Sequence, residues 1–202
     1  MSSNPSAVPA QVGDAKLEAA FRRLHGRRLH GFALLVALGE AEAAERAADE
    51  ALAAGGLDAA ALSHPEHAAA WLRARALRGL HKSLSRGTPT PVSTRRKALT
   101  SLGVDDAVYE GLSGLSAEGR AALVASAIER FEPMDAETIL GASPAGARRL
   151  IARARDRYLQ VVEKGQSAGQ SGQSPSQPEG VLAKRIRDVA ARAMSPSWKR
   201  DE

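Results

Sequence analysis

Hydrophobic positions along the chain recur at spacings of three and four, and that period predicts helix in nearly every stretch. The clearest case is residues 143–162, where Ala147, Leu150, Ile151, Ala154, Tyr158 and Val161 fall on one face. Ser143 can cap the first free amides, and Pro144 suits the first helical position because its missing N–H costs nothing there. The opposite face carries Arg148, Arg149, Arg153 and Arg157, with Arg155 near its edge. Upstream, residues 14–38 place Leu17, Phe21, Leu24, Phe32 and Leu35 near one face. Gly26 and Gly31 weaken that helix by about 1 kcal/mol each relative to alanine. Residues 40–54 predict a second helix, with acidic residues early and Gly55-Gly56 as its stop. A third runs over 66–85, with Trp71, Leu77, Leu80 and Leu84 as its apolar stripe. Arg73, Arg75, Arg78, Lys82 and Arg86 make it basic.

Residues 87–94 break the period. Two prolines and four hydroxyl residues in that stretch read as a semi-extended linker. About ten such residues span at most about 35 Å. Beyond it, residues 95–102 and 105–112 are short helical candidates. Ser116 can cap a helix over 117–132 whose buried stripe is Leu123, Val124, Ala127, Ile128 and Phe131, with Pro133 as its stop. Residues 135–140 form a short helix and 141–143 a tight turn before the arginine-faced helix. Residues 165–178, rich in Gly, Ser and Gln, cannot bury enough apolar surface to fold. Residues 179–194 predict a last amphipathic helix, with Leu182, Ile186, Val189 and Ala193 against Lys184, Arg185 and Arg192.

The expected fold class is therefore all-α. It consists of an N-terminal arm (1–13), a helical domain (14–86), a linker (87–96), a second helical domain (97–162), a flexible linker (163–178) and a C-terminal helix and tail (179–202). Composition agrees: aromatics are only 3% and β-branched runs are missing, which disfavours sheet. The net charge of +5 makes an acidic partner plausible, nucleic acid before an anionic membrane surface. With no cysteine in the chain, disulfides and thiolate zinc sites are excluded. The longest apolar run, residues 32–38, is far short of the roughly 20 residues that span a bilayer. The first residues carry no signal pattern, so a cytoplasmic location is expected.

Chemistry enters with the short helix, glycine-containing turn and longer helix at 135–162, which make a helix-turn-helix pattern. In that arrangement the second helix enters the DNA major groove with its N-terminal residues nearest the bases. Arginines there can chelate guanine or bind phosphate. An arginine face can equally be a solvated one.

With these residues in view, the chain resembles bacterial extracytoplasmic-function (ECF) RNA polymerase sigma factors. The stretch LSGLSAEGRAALV, with Arg120, is similar to the entry to the family's fourth region. LGASPAGARRLIARARDRYL, with Arg153, Ala154, Arg155 and Leu159, resembles its recognition helix. LHGRRLHGFALLVALGEAEAAERAADEALAAG and AWLRARALRGLHKSLSR resemble the second region and its tryptophan-bearing third helix. The resemblance implies binding to core RNA polymerase and promoter DNA, with an anti-sigma factor as an optional further partner. It implies that the second domain reads the −35 element through Ser143, Arg148, Arg149, Ala152, Arg153, Arg155 and Arg157. The first domain would capture the −10 strand through Arg73, Arg75, Arg78, Lys82 and Arg86. Polymerase binding would fall to Glu42, Glu45, Arg46 and Asp49. That patch departs from the family, since its aspartate position is Arg46 and its glutamine position Asp49. The departure keeps open a helix-turn-helix regulator without full polymerase engagement, and the amphipathic helix at 179–194 keeps open a helical interaction protein whose tail binds an anionic membrane or a regulator.

No catalytic site, metal, cofactor or small-molecule substrate is expected. His64-Pro65-Glu66-His67 lacks metal-ligand spacing, and a loop and helix start is the favoured reading. His25, His30 and His81 lie among arginines and read as surface or phosphate-facing. Gly55-Gly56 is not followed by the Lys-Ser/Thr of a phosphate loop. The acidic residues Glu42, Glu45, Asp49 and Glu50 share one helix, as a solvated or partner-facing surface would.

Overall fold

A computed structural model describes residues 9–58, 67–86, 88–100 and 102–169. Every regular element among them is helical, so the chain is all-α. Helix α1 is Pro9–Val36, α2 Ala41–Asp58 and α3 Ala68–Leu84. Then come α4 Val92–Thr100, α5 Asp106–Ser113, α6 Ala117–Leu123, a π-helical turn Val124–Ile128, α7 Pro133–Leu140 and α8 Pro144–Gly169.

Local signals set most of these limits. Asp105 accepts from the Val108 amide at 2.8 Å, and Ser116 from the Gly119 amide at 3.1 Å, so both act as N-caps. The α1–α2 turn reverses through Leu38 (φ 53°) and Gly39 (φ 85°), with the Gly39 amide closing on the Leu34 carbonyl at 3.0 Å. A Cβ on Gly39 would overlap the Arg95 carbonyl oxygen, so a side chain there is barred by both conformation and space.

Several boundaries differ from expectation. Helix α1 begins at Pro9, inside the arm expected over 1–13. Helix α2 runs through Gly55 and Gly56 to Asp58, with its alanines Ala44, Ala47, Ala48 and Ala51 buried where it packs between α1 and α3. Pro133 opens α7, as a proline at the first helical position can, and is not the stop expected of the preceding segment, which already ends at Ile128. The helix expected over 117–132 switches to a π-helical turn at Val124, and Arg130 adopts φ 55°. Helix α8 continues past Val162 to Gly169. Leu24, expected on the apolar face, is 74% exposed, whereas His30, expected at the surface, is buried. The helix expected over 179–194, and His64, Pro65 and Glu66, lie outside the described residues.

The segments expected as two domains meet along a shared core. Leu29, Phe32 and Leu35 of α1, Leu52 of α2 and Leu72 and Leu80 of α3 belong to one buried cluster with Val108, Leu123, Ile139 and Tyr158. Polar contacts cross the same seam. Arg73 of α3 donates through Nε at 2.5 Å, and through Nη2, to the Glu129 carboxylate, and its guanidinium lies over the Phe32 and Phe131 rings. Arg120 Nε donates to the Val36 carbonyl at 2.6 Å. His67 Nδ1 lies 2.6 Å from Asp135 Oδ1, and His81 Nε2 lies 3.3 Å from Glu118 Oε1. The connecting segment is held too. The Glu40 carboxylate accepts from the Thr90 amide at 3.1 Å and from Thr90 Oγ1 at 2.5 Å. Helix α4 starts at Val92, so it takes up half of the stretch expected as linker.

Candidate nucleic-acid interface

The turn between α7 and α8 is built by three residues with separate tasks. Gly141 ends α7 in the left-handed conformation (φ 58°, ψ 36°), the conformation glycine adopts without strain. The Ala142 amide closes on the Glu137 carbonyl at 3.2 Å. Ser143 then accepts from the Gly146 amide through Oγ at 3.2 Å, and its carbonyl accepts from Ala147 at 2.8 Å. Because the Ser143 hydroxyl serves as the cap of α8, its acceptor capacity is directed inward, toward the helix.

Helix α8 seats Ala147, Ala154, Tyr158 and Val162 in the core. At 100° per residue this leaves Arg148, Arg149, Ala152, Arg153, Arg155 and Arg157 on the outer side, and all six are exposed. Arg148, Arg149, Arg153 and Arg157 have no carboxylate partner among the described residues. A row of unneutralised guanidiniums over two turns has the charge and reach to follow a phosphate backbone. Its first members sit where a groove-entering helix meets base edges.

The basic third helix divides into two faces. Arg75, Arg78, Lys82 and Arg86 are spaced by three, four and four and are exposed, with no acidic partner among the described residues. Arg75 lies 5.9 Å over the Trp71 ring, which is half-buried against the core. Arg73 points the other way and is 2% exposed. It cannot reach a nucleic acid in this arrangement, because Glu129 has taken its charge and two phenylalanines enclose it. Its position in sequence, two residues from Arg75, holds no sign of this: a shift of 200° on a helix separates groove from core.

The acidic patch is likewise divided. Glu42 and Glu45 are exposed. Arg46 donates to Ser83 Oγ at 3.2 Å, which ties α2 to α3. Asp49 pairs with Arg22 at 2.7 Å. Two residues that sequence reasoning left without a structural role prove central to the seam. Glu129 gave no signal, as one acidic residue beside an apolar stripe. Arg120 was visible only as part of a motif, yet it is buried and donates to three carbonyls: Val36, Leu112 at 3.5 Å and Leu115 at 2.6 Å. It caps the Val36 carbonyl at the end of α1 and the Leu115 carbonyl just past α5, groups a helix end leaves unpaired unless something caps them, and adds to the bond that Leu112 already accepts from the Leu115 amide. Its pKa is lowered to about 10, first by burial and then by the nearby charge of Arg95. His25, half-buried on α1, is held below the ordinary 6.5 by burial and by the charges of Arg73 and Arg28.

No group of three metal-ligating side chains occurs among the described residues, and no described helix is long and apolar enough to cross a membrane. In comparisons with family models, curated proteins and solved structures, the chain matches none.

Proposed function

We propose that this chain is a divergent sigma-like transcription factor that binds promoter DNA through α8 and engages core RNA polymerase through the outer face of α2. The observation that carries the proposal is the capped turn at 141–143, which directs four unpartnered arginines of α8 outward. The free stripe of α3 supplies a second basic surface, suited to a displaced strand. The decisive experiment mixes the chain with core polymerase and follows run-off transcription from its own upstream promoter. Holoenzyme with specific initiation is the expected result. Failure of both holoenzyme formation and DNA binding refutes the reading.

The packed seam favours a second reading, in which the chain binds DNA as one body without two-element recognition. Helices α3 and α8 both pack against α7. Two packing distances of 8–10 Å put their axes within about 20 Å. Allowing also for the full length of α3, about 25 Å, the two basic faces fall within about 45 Å. Elements named by positions −10 and −35 lie about 25 base pairs apart, or about 85 Å of duplex. Simultaneous contact with both therefore requires the seam to part at the segment 88–91, whereas binding at one element does not. A footprint of about one helical turn, without holoenzyme, selects this second reading.

A further inference from the structure

A cavity of about 420 Å³ opens to solvent at the seam, beside the connecting segment. Three guanidiniums reach it from three different helices: Arg46 on α2, Arg95 on α4 and Arg120 on α6. Two carboxylates also line it, so the charge balance has to be counted by partner. Glu40 is committed to Thr90 and lies 3.5 Å from Arg95 Nε, which offsets one positive charge. Glu42 is exposed and carries no described contact with the arginines. Among the described residues, Arg46 has only the Ser83 hydroxyl, and Arg120, 8% exposed, has only carbonyls as hydrogen-bond partners. Buried Arg95 Nε makes no hydrogen bond. A buried guanidinium without a carboxylate, beside a second whose one carboxylate is shared with Thr90, is an arrangement that an anion completes. Burial first, and then the charge of Arg95, lower the Arg120 pKa.

We propose that this cavity is a phosphate-binding site, filled by the phosphate of a small soluble ester or by a phosphoryl group on Thr88, and that its occupancy ties the two halves together. Planar, forked guanidinium donors match phosphate oxygens, and an ester of nucleotide size or smaller fits the volume. Thr88 is exposed, lines the cavity and precedes Pro89. Its modification is an ordinary phosphoryl transfer. The Thr88 oxygen attacks the γ-phosphorus of ATP on a separate kinase, the bond to ADP breaks and the hydroxyl proton leaves to that kinase's base. The product adds a charge of about −2 and three acceptor oxygens at the cavity mouth. Arg46 belongs to the N-terminal half and Arg95 and Arg120 to the C-terminal half, so one bound phosphate bridges the seam. This proposal does not depend on the DNA reading.

The test titrates the full chain with orthophosphate and pyrophosphate, against chloride at matched ionic strength, and follows the melting temperature and calorimetric binding. Saturable binding with a rise in melting temperature is expected. Arg46→Gln and Arg95→Gln should each weaken it about tenfold, the usual scale for one charged hydrogen bond. Arg46 is exposed, so its variant retains the fold even if others do not. A chain carrying phosphothreonine at 88 separates the two sources. If it melts at the phosphate-saturated temperature and no longer takes up free phosphate, Thr88 is the carrier. If it still takes up free phosphate as before, a soluble ester is the ligand. Equal binding by wild type and both variants, or no saturable binding, means an adventitious ion only and overturns the proposal.

Discussion

Replacing Glu129 by Gln removes one charge from the seam while keeping its shape, and the expected loss follows from the burial of its partner. Arg73 is 2% exposed and the Glu129 side chain 8%, so neither can recover its lost partner from water. Breaking a buried ion pair from one side costs about 3–5 kcal/mol, because the remaining charge is left uncompensated. Gln can still accept one hydrogen bond, which places Glu129→Gln near the lower end, about 3 kcal/mol. In a chain of this size that corresponds to roughly 6–12 °C in melting temperature. The matching variant, Arg73→Met with Glu129→Leu, removes both charges and fills the space between Phe32 and Phe131. It should lie within about 2 kcal/mol of wild type, so that with single losses of about 3 kcal/mol each the coupling energy in the double-mutant cycle is about 4 kcal/mol or more. Urea denaturation at neutral pH of wild type, Glu129→Gln, the singles Arg73→Met and Glu129→Leu, and their double variant measures this. If Glu129→Gln unfolds within about 0.5 kcal/mol of wild type, or if the single effects simply add, the pair does not lock the halves and the seam argument fails. The same variant has a functional consequence. If two-element DNA contact requires the seam to part, Glu129→Gln should lengthen the footprint, and an unchanged one-turn footprint would count against that requirement.

Three further outcomes are expected. Arg149→Ala should weaken duplex binding and reduce the salt dependence of log K by about one unit while leaving the melting temperature unchanged; an unchanged salt slope would remove this arginine from the interface. Arg120→Met should destabilise the fold by about 2–4 kcal/mol in urea, and Arg120→Lys should not restore it, because one ammonium cannot serve carbonyls of three separate residues; recovery by lysine would show that charge rather than geometry matters there. His25 is favoured neutral in the fold, so its contribution is full above 6.5 and is lost as pH falls below that value, where the unfolded chain binds the proton more readily. Stability curves between pH 8 and 5 should therefore slope downward on the acid side, and His25→Gln should flatten part of that slope; an identical slope in the variant would assign the effect to other groups.

Much of this chain can be read from residue order. Ser116 and Ser143 announce helix starts through side-chain chemistry that acts within three residues, and both caps form; Asp105 caps α5 in the same way. Gly141 meets a backbone requirement that is equally local. The apolar period places Ala147, Ala154 and Tyr158 inward, and by the same geometry leaves the α8 arginines outside. What order did not reveal is which charges are already neutralised. Arg73 and Arg75 look alike in sequence, yet one is closed off by a carboxylate 56 residues away and the other is open. Arg120 meets Val36 across a separation of 84, and Thr90 meets Glu40 across 50. Periodicity reports how one helix divides between water and core; it carries no information about the element that will cover it. The sequence by itself determined an all-α chain with a capped turn and an arginine-faced helix, because those features arise from forces acting over one or two turns. Only the tertiary structure decided that the halves share a core, which arginines remain free, and that a cavity rich in guanidinium lies between them, because each depends on long-range burial and pairing.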